Sequence, residues 1–276
     1  MIRVPASIDA PSPGNTGGVN AAARNRALLA HFLRRELTLR YLGSVTGLAW
    51  ALLAPLAFLA VYDFVFTNVF KATSFAGTSF LAFVAVALWP WLAAQEALMR
   101  GTLSLAGYAG MIRKVAFPHE IVVLASVAAT FLLQFVGYVA VLAVLAALGQ
   151  PIHLAGLALA VPIWLIVALG VCGLAFALAS LQVFVRDVEH VLAPVLMILM
   201  YLTPILYPLS IVPENLRGFV AANPFTWAVT RLRDALLDGR LALDWSDAGA
   251  VVVALLLFLA GRLVFRRLSP HFEDFV

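Results

Sequence analysis

Tyr62, Trp89 and Trp91 offer aromatic faces at the edges of apolar runs. An aromatic face stacks on the apolar side of a sugar ring without demanding a particular hydroxyl pattern, so these three are candidates for lining a glycan path. The competing reading is core packing or a belt at a membrane interface, as for Trp50, Phe131, Tyr138 and Trp164. Nucleotide hydrolysis has no comparable candidate. A phosphate-cradling loop needs Gly-x-x-x-x-Gly-Lys-Ser/Thr, whereas the nearest basic glycine segment, Gly107-Tyr-Ala-Gly-Met-Ile-Arg-Lys114, has the wrong spacing and no hydroxyl after the lysine. The chain also has no Gly-x-Ser-x-Gly elbow, no His-Glu-x-x-His helix and no paired-carboxylate motif. One cysteine, Cys172, excludes an intrachain disulfide, and five scattered histidines form no metal site. The absence of catalytic motifs favours a conduit over an enzyme.

The elements that would position such a conduit are set by composition. Of 276 residues, 63% are hydrophobic and 12% charged, far outside the soluble range. The net charge of +4 comes from basic residues that bracket apolar runs and do not lie beside aromatics on one face, which argues against nucleic acid as a partner. A helix needs about 20 apolar residues to cross a bilayer. Six stretches qualify: Leu48–Phe66, Gly77–Gln95, Ile121–Leu148, Leu154–Val185, Val191–Val212 and Ala248–Phe265. The fourth exceeds the bilayer, implying tilt, a kink near Pro162 or extension beyond the lipid. Asp63 and Glu96 lie near span ends, where each is either a boundary anchor or part of a proton relay.

An even number of spans puts both termini on one side. That side carries thirteen Lys and Arg and the other five, so both termini are expected in the cytoplasm. Residues 1–23 are rich in Pro, Gly, Ala, Ser and Asn, lack an apolar signal core and predict a disordered tail. Across 24–43, Leu29, Leu33, Leu37 and Tyr41 recur every four residues while Arg24, Arg34 and Arg35 face elsewhere. This predicts a helix lying along the membrane surface or, alternatively, a solvated helix capping the bundle. The transmembrane unit is expected over 44–268, with a cytoplasmic segment at 100–120, a loop of broken helices at 213–247 outside the cytoplasm, and a tail at 269–276. That loop can re-enter the bilayer or stay outside it.

Particular residues add a family resemblance. Leu37-Thr-Leu-Arg-Tyr41-Leu-Gly43-Ser44-Val-Thr-Gly47-Leu-Ala-Trp50, followed by Pro55 and Tyr62-Asp-Phe-Val-Phe66, resembles the N-terminal segment of the ABC-2-type permeases that export polysaccharides such as O-antigen and teichoic acid. Met111-Ile-Arg-Lys114-Val-Ala-Phe117-Pro118 is similar to that family's cytoplasmic segment between spans two and three, and Phe184-Val-Arg186-Asp187-Val188 to its turn between four and five. Thr203-Pro204-Ile205 and Asn223-Pro224 match its Ser-Pro-Ile-like and Asn-Pro signatures, with Thr in place of the usual Ser.

The resemblance implies an all-α membrane protein: a six-transmembrane-helix ABC-2-type permease with an N-terminal amphipathic interfacial helix, multi-pass in the bacterial inner (plasma) membrane. It implies a homodimer working with two copies of an ABC ATP-binding subunit, which would carry the ATP and Mg, and a polyprenyl-diphosphate-linked glycan as substrate. No cofactor is expected on this chain. Met111, Arg113, Lys114, Phe117, Pro118, Arg186 and Asp187 become candidates for contact with the ATPase. Physically, Pro118 ends a short helix and Phe117 offers an apolar knob; alternatively Arg113 and Lys114 only enforce topology, and Arg186 and Asp187 only cap neighbouring helices. Arg34, Arg35 and Arg40 are candidates for the carrier's diphosphate, since guanidinium groups bind phosphate oxygens well. Two other readings remain: a membrane-embedded transferase acting on polyprenyl-linked glycans, which would need a polar constellation not seen here, and an ABC-2 permease for drugs or small lipids.

Overall fold

The computed structural model describes residues 19–41, 74–75, 78–112 and 117–275, with isolated positions between 53 and 65. Most of the first expected span, and with it Tyr62, lies outside the described residues, as do Arg113 and Lys114. The described chain is helical apart from one small hairpin. In order it forms α1 (Val19–Tyr41), β1 (Ser74–Phe75), β2 (Thr78–Ser79), α2 (Phe80–Leu103), α3 (Ala109–Ile112), α4 (Glu120–Ala147), α5 (Gly156–Phe184), α6 (Val188–Leu202), α7 (Glu214–Ala221), α8 (Pro224–Leu236), α9 (Trp245–Leu268) and α10 (Phe272–Phe275). The strands β1 and β2 pair antiparallel, Ser74 opposite Ser79 and Phe75 opposite Thr78.

Among the described residues, four helices are long and apolar enough to cross a membrane: α2, α4, α5 and α9. Their starts follow local chemistry. Ser79 caps α2, its Oγ accepting from Ala82 N at 3.2 Å, as short hydroxyl side chains do at helix starts. The same hydroxyl donates to the Gln150 side chain. Helix α2 runs on past Gln95 to Leu103 because Glu96 and Arg100, one turn apart, satisfy each other at 2.6 Å, a spacing that places the two side chains face to face. Helix α9 opens on a capping box formed by Asp244 and Asp247. Helix α5 continues unbroken through Pro162 for 29 residues. Its length is about 43 Å at about 1.5 Å per residue, longer than the hydrocarbon layer.

The fifth expected span differs. Helix α6 has 15 residues and ends at Leu202. That is about 22 Å at the usual helical rise. Pro204 lacks the N–H that would prolong the helix, so the chain turns at 203–205 and the apolar run up to Val212 is not one helix. Hydropathy does not register such a break.

The tail expected at 269–276 is folded: after a 3₁₀ turn at Ser269–His271, α10 tucks Phe272 against Phe265 and Phe184. Helix α1 begins at Val19, before the expected Arg24, and packs against α4 with Phe32 fully buried and Leu28 and Leu29 half-buried. Helix α5 sits centrally, against α9, α2, α8 and α4. Where α5 crosses α9 the backbones touch, as small residues permit between membrane helices. A Cβ on Gly261 would lie 1.8 Å from the Gly173 carbonyl oxygen, and one on Gly173 would lie 2.3 Å from the Leu257 oxygen.

Candidate functional site

The bundle has two unlike ends. The terminal end holds α1, the α2–α4 connection, the α5–α6 turn and α10; the loop end holds the starts of α2, α5 and α9. At the loop end Asn223 caps α8, its Oδ1 accepting from Phe225 N at 3.0 Å. Pro224 takes the first helical position, where its missing N–H is not needed. The Asn223 Nδ2 donates to Thr203 Oγ1 at 2.9 Å. The Thr-Pro and Asn-Pro segments therefore form one joint.

Helix α8 lies inside the bundle. At its C-terminal end a Cβ on Gly156 would meet the Ala235 carbonyl oxygen at 2.2 Å, so only glycine allows this seat. Its N-terminal residues Pro224 and Phe225 reach Ile166 and Gly170 of α5, and the Phe225 ring meets Trp91 at 5.0 Å. The helical rise puts Gly170 about 21 Å along α5 from Gly156. Helix α8 thus descends to the middle of the bundle.

Two arginines hold it. Arg233, 9% exposed, donates to the carbonyl oxygens of Phe83 at 3.1 Å, Pro204 at 2.7 Å and Ile205 at 2.6 Å, and its guanidinium lies 3.4 Å from the Phe83 ring centroid. Among the described residues it has no carboxylate partner, so three carbonyl dipoles and a ring face carry its charge. Arg231 makes a bidentate pair with Asp247, at 2.8 and 2.9 Å, and donates to Ala242 O at 2.8 Å. Such fork-to-carboxylate pairs are among the strongest and most directional in proteins. The Trp227 indole donates to the same aspartate at 3.1 Å, which ties α8 to the start of α9.

At the terminal end a run of rings crosses the bundle, each at a separation typical of aromatic pairs. Tyr108 meets Phe32 at 5.2 Å, Phe32 stacks on Phe117 at 5.7 Å, Phe117 meets His119 at 5.1 Å, and His119 meets Phe272 at 6.1 Å. The Tyr108 hydroxyl donates to Glu36 at 3.0 Å while Arg35 lies over its ring at 4.7 Å. Burial, and next the Glu36 carboxylate, push the Tyr108 phenol up to about 12, so it stays a donor at neutral pH. Beside it, Leu105 and Ala109 face Gln182, Arg186, Glu189 and Phe275 across a crevice of about 330 Å³. Gln182 braces the α5–α6 turn by donating to Arg186 O at 3.1 Å and accepting from Glu189 N at 3.0 Å.

Slightly deeper, Glu96 gathers three helices. Arg100 and Gln134 donate to its two oxygens at 2.6 Å each, and Arg40 approaches to 3.8 Å while donating to Thr130 at 2.6 Å. Both carboxylate oxygens are engaged, which gives α1, α2 and α4 a shared polar knot.

The structure scatters the residues singled out from the sequence. Met111 and Phe117 are half-buried, the latter turned inward onto Phe32, while Pro118, Arg186 and Asp187 are exposed. Arg34 is exposed, Arg35 covers Tyr108, and Arg40 points into the Glu96 knot. Trp89 and Trp91 are enclosed by the chain, Trp89 donating to Gln134 O at 3.0 Å. Arg233, the Arg231–Asp247 pair and the Glu96 knot escaped sequence reading. The one available signal was two arginines, with Asp234 beside them, in a largely apolar, Asn-Pro-started helix, Pro224–Leu236.

Comparison with known proteins now bears on this arrangement. The family model described as ABC-2 type transporter matches residues 27–237. The chain is 25% identical over 251 residues to an O-antigen export system permease protein RfbA of Klebsiella pneumoniae, covering 90% of this chain and 94% of that one. It is 29% identical over 254 residues to an O-antigen export system permease protein RfbA of Myxococcus xanthus, covering 90% and 95%.

Proposed function

The chain belongs to the ABC-2 type transporter family, and we propose that it is the permease subunit of an ABC exporter that carries a lipid-linked polysaccharide of the O-antigen type across the bacterial inner membrane. The observation that carries this reading is similarity to O-antigen export permeases along nine-tenths of the chain. Its multi-pass character is plain from four long apolar helices. The finer topology is six crossings, with the Leu48–Phe66 run and α6 joining those four and both termini in the cytoplasm; the bias of thirteen basic residues against five supports it.

The working unit is a homodimer bound to two copies of a separate ATP-binding subunit, which holds the nucleotide and magnesium. No phosphate loop occurs in this sequence, so the energy enters from outside the chain. The motor abuts the segment Met111–Pro118 and the Arg186–Asp187 turn, both at the terminal end. Phe117 acts inside this surface, handing displacement to α1 through Phe32 and to α10 through His119. Helix α1 lies near the inner membrane surface, where Arg34 and Arg35 meet the carrier's diphosphate; Arg40 organises the Glu96 knot. At the other end α8 closes the way out until rearrangement of the bundle displaces it.

Trp89 and Trp91 border the glycan path from behind, since both are enclosed within the protomer. Tyr62 remains the third candidate for that path.

The test is deletion of the gene followed by localisation of the lipid-linked glycan. Accumulation on the cytoplasmic face with synthesis intact is expected. Loss of glycan synthesis would instead point to a transferase, and a normal surface glycan would refute the reading.

A further inference from the structure

A second amphipathic feature lies at the terminal end, bordered on one side by Phe117 and Pro118, the end of the segment assigned to the motor. The end of α9 and the start of α4 bound a crevice of about 680 Å³, closed on one side by Asn25 of α1. Its floor is apolar, formed by Leu124, Phe176 and Phe258. Its rim carries Glu120, Arg262 and Arg266. Glu120 accepts from Arg262 Nε at 3.0 Å and from Arg266 Nε at 2.6 Å. Each guanidinium thus directs its Nε at the carboxylate, and its terminal N–H groups have no acceptor among the described residues. The two arginines are 37% and 60% exposed, so those donors face outward.

We infer that this crevice binds an anionic phospholipid of the cytoplasmic leaflet, its phosphodiester on Arg262 and Arg266 and its acyl chains over Leu124 and Phe258. The charge fits: two arginines against one carboxylate leave a single positive charge, matching one phosphodiester. A diphosphate would place its extra negative charge beside Glu120, which disfavours the glycan carrier. The lining fits as well, since a free phosphate would leave the apolar floor uncovered. Helix α9 continues the floor with exposed Leu255, Leu259 and Leu263, a track for acyl chains. Basic pockets between helices at the cytoplasmic face are the usual way a membrane protein selects anionic head groups. The bound lipid would brace the junction of α4, α9 and α1 beside Phe117. This assignment does not depend on which substrate is exported.

The experiment uses the full chain purified with its ATP-binding partner. Thermal unfolding is followed while phosphatidylglycerol or phosphatidylcholine of identical acyl composition is titrated in mixed micelles. Phosphatidylglycerol should raise the melting temperature at about tenfold lower concentration than phosphatidylcholine, the preference expected of charge-assisted hydrogen bonds. R262Q/R266Q should abolish the preference, R262K/R266K should keep most of it, and E120Q should keep or sharpen it. Equal response to both lipids would overturn the proposal. So would loss of the preference in E120Q to the extent seen in R262Q/R266Q, which would trace it to the ion pair itself. An equal shift from inorganic phosphate would reduce the site to an anion contact, and displacement of phosphatidylglycerol by an isoprenyl diphosphate at lower concentration would reassign it to the carrier; either result refutes the phospholipid. If R262Q/R266Q yields no protein, R266Q alone must weaken the preference, and an unchanged preference overturns the inference.

Discussion

Replacing Arg233 by Met removes a guanidinium that serves three carbonyl oxygens. Met fills similar length, so the change isolates the polar contacts. Phe83 lies inside the first turns of α2, whose own ladder supplies its oxygen with a second donor, so that carbonyl loses little. Pro204 and Ile205 follow the end of α6 and have no ladder. Each is left buried without its donor, at about 1–3 kcal/mol apiece. Against this, Met escapes the part of the guanidinium's desolvation cost that the three carbonyls and the Phe83 ring leave uncompensated, which trims the upper part of that sum by about 2 kcal/mol. The net expectation is a loss of roughly 2–4 kcal/mol, or about 5–15 °C in melting temperature for a chain of this size. Arg233→Lys should fall between, because one ammonium reaches only part of a divergent set of acceptors. The assay is fluorescence-detected unfolding of purified protein in detergent. A methionine variant melting within about 2 °C of the parent would mean that those carbonyls do not depend on Arg233, and the account of how α8 is held would fail.

Gly261→Ala would place a methyl 1.8 Å from the Gly173 oxygen, where contacts under 3.0 Å essentially never occur, so α5 and α9 must part; purified yield and melting temperature should both drop sharply. Glu96→Ala leaves Arg40, Arg100 and Gln134 without their shared acceptor. It should cost about 1–3 kcal/mol, read as a lower unfolding midpoint, whereas Glu96→Gln, able to keep part of that bonding, should lose less. Phe272 is fully buried and Phe275 is exposed. Phe272→Ala should therefore lose about 3–5 kcal/mol of stability, while Phe275→Ala should lose under about 1 kcal/mol in the same assay.

Hydropathy located α4 and α5 to within a residue or two at each end, since uncharged runs longer than a bilayer have few other solutions. It failed at α6, where Pro204, one of three prolines in the apolar run Val191–Val212, divides it while Pro194 does not, and at the C-terminal tail, whose charges conceal a phenylalanine that docks in a cleft built by α5 and α9. The site was legible only in part. The Asn-Pro signature announced a helix start, because capping is local chemistry written in adjacent residues. What Arg233 binds was not announced, because its acceptors are backbone oxygens 150, 29 and 28 positions away and any residue type supplies a carbonyl. Glu96 likewise looked like a lone charge near a span end until folding brought Gln134 beside it.

The glycine contact between α5 and α9 has a kinematic consequence. With carbonyl oxygen seated against α-carbon, neither rod can slide along or roll about the other without collision, so the two travel as one lever. A push on the α5–α6 turn or on α10 would therefore move the starts of both rods together, where Gly156 presses on α8 and Asp247 grips Arg231.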